Sequence, residues 1–443
     1  MSNNKENAGI NISVKSFITA IIVIFVLMVL TYGLTFIIPG GGIPFWKWAL
    51  SPILVLGADG NVSLIAVILF LLVIGGVFNC LDKCGLMQYM LDAITDKFGK
   101  ERYKLLAFVT LFFMALGSFI GSFEEAVPLV PIVAALAIRL GWDSLVGLGM
   151  SLLAIGCGFS AGVCNPFTVG VAQEIAGLPM FSGIWFRLVG FALVYALLLG
   201  FLCLYAKKIE KPIDTAMLTQ NFKKDEKMDK GLKAFGGIMC GGIAVVLSSV
   251  VLTFLQDITM IIVAVTFLTA GIVAVKNTGR GGNIPKTFLN GVTTIFPAVF
   301  MILMANSIKY TMQEGNILNT ILESLMATAQ TLPAWSVVLF IYLVVLIMNF
   351  FISSGSALAF LVMPLIVPIA ETLNISAQLC VLAFAFGDGF SNVLYPTNPV
   401  LLISLGLVDV DYGKWFKWSG KFQFLNLILT SGLLLLGFVI GYK

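Results

Sequence analysis

Long apolar stretches separated by short polar segments make up most of this 443-residue chain. A helix needs about 20 apolar residues to cross a bilayer. Stretches near this length predict nine transmembrane helices, over residues 16–38, 61–80, 145–163, 183–205, 234–254, 259–275, 288–308, 377–395 and 422–440. The composition agrees, because 59% of the residues are hydrophobic and 11% are charged, whereas soluble domains carry about 25% charged residues. We therefore predict an all-α polytopic membrane protein.

Two further apolar stretches, 105–139 and 334–373, turn back at points rich in glycine and serine. The arm over 127–138 is about 18 Å long at helical rise, which is shorter than the ~30 Å hydrocarbon core. We predict that both stretches are re-entrant hairpins. The alternative is that each forms two short full spans.

The lysine and arginine residues predict the orientation of these helices, because cytoplasmic loops carry the excess of positive charge. Basic residues cluster at 81–104, at 276–286 and in the polar linker over 207–233. With the tail over 1–15 in the cytoplasm, all of these segments are cytoplasmic, and the loop over 165–182, which lacks Lys and Arg, is external. The C-terminus is then predicted outside. An interpretation in which the hairpins span fully would fit the same charges.

The order of apolar helix, amphipathic segment, hairpin, interrupted helix and final helix occurs twice, over 61–205 and 288–440. Local matches support the repeat: Gly158-Phe159-Ser160 with Gly389-Phe390-Ser391, Asn165-Pro166 with Asn398-Pro399, and Gly121-Ser122 with Gly355-Ser356. An odd number of predicted crossings separates equivalent points. The halves, 16–206 and 234–443, are therefore predicted to be inverted repeats, an architecture typical of alternating-access transporters.

The interrupted helices are predicted over 145–166 and 377–399. Gly158–Gly162 is expected to break the first helix. The second is expected to break around Gly387-Asp388-Gly389 and again around Thr397-Asn398-Pro399. Backbone groups freed by such breaks are tolerated at membrane depth only where protein or a watery cavity satisfies them.

Freed carbonyls and side-chain oxygens at the breaks suit a small coupling cation, and half-helix N-termini suit a carboxylate. The candidates for a coupling ion, Na⁺ or H⁺, are Ser160, Asn165, Thr168, Ser391 and Asn398. The candidates for substrate binding are Gly121, Ser122, Glu124, Glu125, Asn165, Ser354, Gly355, Ser356, Asp388, Asn392, Thr397 and Asn398. The alternative for the Ser and Asn side chains is that they only repair the broken backbone.

Acidic residues in apolar sequence are the strongest chemical signal, since intramembrane charges are costly and mark function by default. Glu124 and Glu125 are adjacent and would point about 100° apart on a helix, so we do not expect both to face one ligand. No Lys or Arg is expected at the depth of these acids and Asp388. A site with acids and no fixed cation favours a cationic ligand, or an anionic one that binds together with several cations.

Enzymatic chemistry is disfavoured by the composition. The chain has no histidine, so the G-x-S-x-G match at Gly158–Gly162 lacks the usual base of a serine hydrolase. Gly387-Asp388 lacks the second deep aspartate of an intramembrane aspartyl protease. We predict no catalytic residue, no cofactor beyond a coupling ion, and no nucleic-acid partner.

The run Gly121-Ser122-Phe123-Glu124-Glu125, the run Gly387–Asn392 and the run Tyr395–Pro399 resemble the YfcC-type transporters. That family lies beside arginine/ornithine exchangers and four-carbon dicarboxylate anaerobic carriers in the ion transporter superfamily. The resemblance covers nearly the whole chain. It implies a homodimer in which a scaffold domain holds a moving transport domain with both hairpins, and cationic amino acids as substrates.

Together these features predict a secondary active transporter of the inner membrane. It would move arginine, ornithine or lysine by exchange or ion coupling. A Na⁺- or H⁺-coupled dicarboxylate or other carboxylate carrier is the alternative, and an ion channel is the third class.

Overall fold

The structure is a computed structural model that describes residues 14–37, 42–58, 62–121, 123–211, 224–248, 259–329 and 331–443. Its regular elements within these ranges are all helical. In the first part of the chain, the helices before the first hairpin are α1 (Val14–Thr35), α2 (Phe45–Ala49), α3 (Ser51–Leu54), α4 (Val62–Lys83) and α5 (Leu86–Phe98).

The first hairpin consists of α6 (Arg102–Ala115) and α7 (Val130–Arg139), with a wider helical turn at Leu116–Ile120 and a tighter one at Glu124–Leu129. An interrupted apolar segment follows. Its helices are α8 (Ser144–Leu148), α9 (Ala154–Ala161) and α10 (Val171–Ile175), with wide turns at Gly149–Leu153 and Pro166–Gly170. The long helix α11 (Ile184–Ile209) completes this part.

In the second part, three long helices precede a short amphipathic one: α12 (Glu226–Ser248), α13 (Thr259–Thr278), α14 (Ile284–Glu314) and α15 (Ile317–Ala329). The second hairpin consists of α16 (Ala334–Asn349) and α17 (Gly355–Thr372). The last three helices are α18 (Ala377–Asn392), α19 (Pro399–Leu407) and α20 (Tyr412–Val439).

Eight helices among the described residues are long and apolar enough to cross a membrane. This confirms the predicted all-helical polytopic class. The count of nine spans, the depth of the hairpins and the inverted repeat stay predictions.

The most buried helices are those that carry the candidate site. The most apolar stretch of the span Ser144–Ile175 is entirely buried inside the protein. Every residue of α18 from Gln378 to Asn392 is also buried. By contrast, only 22% of the most apolar stretch of α11 is buried. An apolar helix that is enclosed on all sides cannot serve as the contact with lipid, so α9 and α18 form the interior around which the other helices pack.

The predicted break at Gly387-Asp388-Gly389 is wrong, because α18 runs through these residues without interruption to Asn392. The two glycines permit close packing instead. A Cβ atom on Gly387 would lie 2.6 Å from Cβ of Val345 in α16, and one on Gly389 would lie 2.4 Å from the backbone nitrogen of Ser160 in α9. The helix ends only at 393–398, where the second part of the prediction placed a break.

Two predicted loops are also partly helical. The loop expected over 165–182 contains the turn Pro166–Gly170 and α10. Asn165 begins this segment, because its Oδ1 accepts a hydrogen bond from the Phe167 amide at 2.9 Å. The linker expected over 207–233 begins inside α11 and ends inside α12, and its residues 212–223 lie outside the described ranges.

Candidate functional site

The first break, residues 162–165, begins where Gly162 adopts a left-handed backbone conformation (φ +46°) and ends α9. The freed amides of this break are satisfied by the first hairpin. The Val163 amide donates to Ser118 Oγ at 3.0 Å, and the Cys164 amide donates to the Ser118 carbonyl at 3.1 Å. The break is therefore held by the end of the first hairpin arm.

A buried arginine satisfies the carbonyl side of the same break. Arg187, at the start of α11, is 1% exposed. Its Nε donates to the Val163 carbonyl at 3.2 Å and its Nη2 donates to the Phe181 carbonyl at 3.1 Å. Its Nη1 donates to the hydroxyl of Tyr442 at 3.3 Å. A cation is therefore buried beside the first break, and Lys309 in α14 is also partly buried. That no Lys or Arg lies at the membrane depth of the acids stays a prediction.

The first hairpin turns at Gly121 (φ +76°), directly against the first break. A Cβ atom on Gly121 would lie 2.4 Å from Oδ1 of Asn165, so a larger residue would disturb the start of the helical segment that Asn165 caps. Glu124 is partly buried in the turn that follows. Ser122 and the side chain of Glu125 lie outside the described part of the structure.

The second hairpin turns against the segment after the first break. Ser356 Oγ donates to the Phe167 carbonyl at 2.8 Å. Gly355 is buried, and a Cβ atom on it would lie 2.7 Å from Cγ2 of Thr168. Ser354, the residue before α17, is exposed and makes no capping hydrogen bond with its side chain. The tip of the second hairpin therefore meets the first interrupted helix, as an assembled two-part site requires.

The second break, residues 393–398, is organised by three asparagines. Asn398 Oδ1 accepts from the Val400 amide at 2.9 Å and begins α19. Its Nδ2 donates to Asn392 Oδ1 at 3.0 Å. Asn349 Nδ2, from the second hairpin, lies within hydrogen-bond distance of three oxygens: the Asp388 carbonyl at 2.6 Å, Ser391 Oγ at 2.7 Å and Asn392 Oδ1 at 3.1 Å.

Asp388 lies at the centre of these contacts and is 0% exposed. Gly355 faces its carboxylate, since a Cβ atom on Gly355 would lie 2.9 Å from Asp388 Oδ2. Neither carboxylate oxygen has a hydrogen-bond partner, and among the described residues neither Asp388 nor Glu124 forms an ion pair. Glu124 interacts electrostatically with Asp388, so the two acids repel each other when both are ionised.

Other buried oxygens near these elements also have no partner within the described ranges: Ser160 Oγ, Thr168 Oγ1, Asn349 Oδ1 and Thr397 Oγ1. Buried polar atoms in native proteins are nearly always hydrogen-bonded, and the exceptions often mark a site for a ligand, ion or water. Ser160 adjoins Gly389 and Thr168 adjoins Gly355. The Thr168 side chain and the Asp388 carboxylate therefore both lie beside Gly355, and Ser160 lies beside Gly389, the residue after Asp388.

Eight of the predicted site residues therefore fall into two groups. The first group uses its polar atoms in helix caps and in other hydrogen bonds within the protein; its members are Asn165, Ser391, Asn392 and Asn398. Ser160, Thr168, Thr397 and Asp388 retain buried oxygens without partners. The sequence reasoning missed Asn349, although a single amide in the apolar arm before the Ser353–Ser356 tip was a usable signal.

Comparison with known proteins places the chain in a family. Residues 53–439 match the family model described as C4-dicarboxylate anaerobic carrier, DcuC. The chain is 30% identical over 400 residues to a protein of Escherichia coli (strain K12) named "Putative basic amino acid antiporter YfcC", covering 85% of this chain and 78% of that protein. It is 24% identical over 391 residues to an uncharacterised protein of Haemophilus influenzae, covering 85% and 76%.

Two solved structures align with nearly the whole chain. The Alcanivorax borkumensis YdaH transporter has a TM-score of 0.47 at 16% identity and covers 96% of this chain and 99% of its own. Neisseria gonorrhoeae MtrF, described as an antimetabolite efflux pump, has a TM-score of 0.45 at 14% identity and covers 95% of each chain. The family assignment depends on the sequence matches: the chain is a multi-pass membrane protein of the C4-dicarboxylate anaerobic carrier family of transporters.

Proposed function

We propose that this transporter exchanges cationic amino acids, with arginine, ornithine and lysine as the substrate class, by alternating access across the inner membrane. The observation that carries the proposal is the fully buried carboxylate of Asp388, which has no partner among the described residues. A buried charge needs a partner, and the guanidinium or ammonium group of such a substrate would supply one. The name of the Escherichia coli relative supports the same class.

The rest of the substrate fits the neighbouring groups. An amino acid also carries an α-carboxylate and an α-ammonium group. Backbone amides at the start of α17 suit the carboxylate, and the hydroxyls of Ser160 and Thr168 have no partner among the described residues. We propose the lipid bilayer and a homodimer as the setting, with the N-terminus in the cytoplasm and the C-terminus outside, and Na⁺ or H⁺ as the coupling ion if transport is not pure exchange.

A carboxylate carrier is the second candidate, and two observations favour it. The matching family model is described by C4-dicarboxylates, and Arg187 supplies a buried cation beside the first break. A dicarboxylate would have to approach Asp388 and Glu124, so it would require bound cations to offset the repulsion. Arg187 is already engaged with two carbonyls and a hydroxyl, so the cationic substrate fits this site better.

The test is uptake of labelled arginine and labelled succinate into proteoliposomes preloaded with ornithine, with and without a Na⁺ gradient. Arginine uptake stimulated by internal ornithine supports the proposal. Succinate uptake driven by Na⁺, with no uptake of arginine, would establish the second candidate instead. Ohmic single-channel currents would contradict both carriers.

A further inference from the structure

Asp388 is fully buried, with 0% of its side chain exposed. Among the described residues, its two carboxylate oxygens have no hydrogen-bond partner. α17 begins beside it at Gly355, and the positive end of a helix favours a nearby anion. The amides of α17 nevertheless form no hydrogen bond with the carboxylate, so this compensation is partial.

The charge of Glu124 makes an empty site less favourable still. Glu124 is a second acid that acts electrostatically on Asp388, and the two carboxylates repel each other when both are ionised. In a site open to either side of the membrane, water solvates the carboxylate. When the site closes, water is excluded, and an unpaired ionised acid in the interior carries a large desolvation penalty.

We propose, on the basis of the proposed function, that Asp388 makes exchange obligatory. A carrier with cargo closes readily because the cationic group of the cargo neutralises Asp388. While Asp388 is ionised, an empty carrier closes slowly because the carboxylate then lies unpaired in the interior. The carrier therefore returns across the membrane at a useful rate only with a second cationic cargo, and inward and outward movement are coupled by one side chain.

Two variants test the charge of Asp388 and the packing around it separately. Asp388→Asn keeps the shape of the side chain and removes the charge, so the empty variant is expected to close freely. Gly355→Ala keeps the charge but places a Cβ atom 2.9 Å from Asp388 Oδ2 and 2.7 Å from Thr168 Cγ2. That methyl group obstructs the site, so this variant is expected to lose exchange without gaining net efflux.

The experiment compares two fluxes from proteoliposomes loaded with labelled arginine, at alkaline pH with N-methylglucamine as the bulk cation. Exchange is measured with external ornithine and net efflux is measured without it. In the wild type, net efflux is expected to be at least about tenfold slower than exchange. In Asp388→Asn, the two rates are expected to agree within about twofold. Glu371→Gln, which removes an exposed acid from α17, is the matched control and should keep the wild-type ratio.

A neutral substrate shows whether Asp388→Asn still transports or has only lost affinity for arginine. Citrulline has nearly the shape of arginine without its positive charge, and Asp388→Asn is expected to carry it at a rate at least about tenfold above the wild type. Melting temperature and a monodisperse elution profile in detergent establish that the variant is folded. A folded Asp388→Asn protein that carries neither cargo would overturn the inference.

The two proposals fail in different ways. Absence of arginine–ornithine exchange in the wild type refutes the proposed function before Asp388 is changed. Exchange accompanied by equally fast net efflux in the wild type leaves the proposed function intact and refutes obligatory coupling through Asp388.

Discussion

The close approach of α9 and α18 at Gly389 gives a prediction that depends only on packing. In Gly389→Ala, the new Cβ atom would lie 2.3 Å from Ser160 Oγ, 2.4 Å from its backbone nitrogen and 2.7 Å from its Cα atom, all below the 3.0 Å that real Cβ contacts respect. A side-chain hydroxyl can rotate away, but backbone atoms cannot. The two helices must therefore separate.

The loss of stability caused by this overpacking can be measured against a matched control. Overpacking a close-packed interior typically destabilises a protein by about 1–3 kcal/mol, while replacing glycine by alanine inside a helix adds about 1 kcal/mol of stability. Gly420→Ala in α20 receives the second effect alone, because nothing lies within 4 Å of its added Cβ atom. The free energies of unfolding of the two variants should therefore differ by about 1–3 kcal/mol.

Thermal unfolding in detergent, followed by intrinsic fluorescence, measures this difference. Gly389→Ala is expected to melt several degrees below Gly420→Ala. Its arginine exchange should fall as well, because Asp388 moves with α18. Equal melting temperatures would refute the contact between α9 and α18 and, with it, the arrangement of the site.

Three further predictions concern residues around the site. Glu124→Gln should lower the initial rate of arginine uptake, because it removes an acid that acts electrostatically on Asp388; an unchanged rate would exclude Glu124 from the site. Asn349→Ala removes the amide that bridges α16 to α18; a loss of about 1–3 kcal/mol should appear as a lower melting temperature, and a value equal to that of the wild type would contradict the bridge. Tyr442→Phe removes a hydroxyl that donates to the Gly183 carbonyl at 2.6 Å and accepts from Arg187. The free energy of unfolding should fall by about 1 kcal/mol, and the preference for arginine over succinate should be retained. A changed preference would show that these hydrogen bonds shape the site directly.

Local sequence was sufficient for the fold class and for the residues that begin and end helices near the site. Helix length and apolarity depend on neighbouring residues, so the helical polytopic class was predictable. The same holds for Asn165 and Asn398, each followed by proline, which begin helical segments as the predicted breaks required.

Features that depend on distant residues were not predictable in this way. Gly387-Asp388-Gly389 resembles a helix break in sequence, but the glycines accommodate Val345 and Ser160, and the backbone stays helical. Arg187 finds its partners at Val163 and Tyr442, which is the next-to-last residue of the chain. Contacts across such separations leave no periodic signal in one sequence.

Equilibrium binding of labelled arginine to the purified protein tests the central claim most directly, because it requires neither reconstitution nor flux. Saturable binding is expected to be displaced by ornithine and lysine but not by succinate, and to weaken at least about tenfold in Asp388→Asn while remaining unchanged in Glu371→Gln. Displacement by succinate, or equal affinity in Asp388→Asn, would contradict a site in which the buried carboxylate of Asp388 pairs with a cationic amino acid.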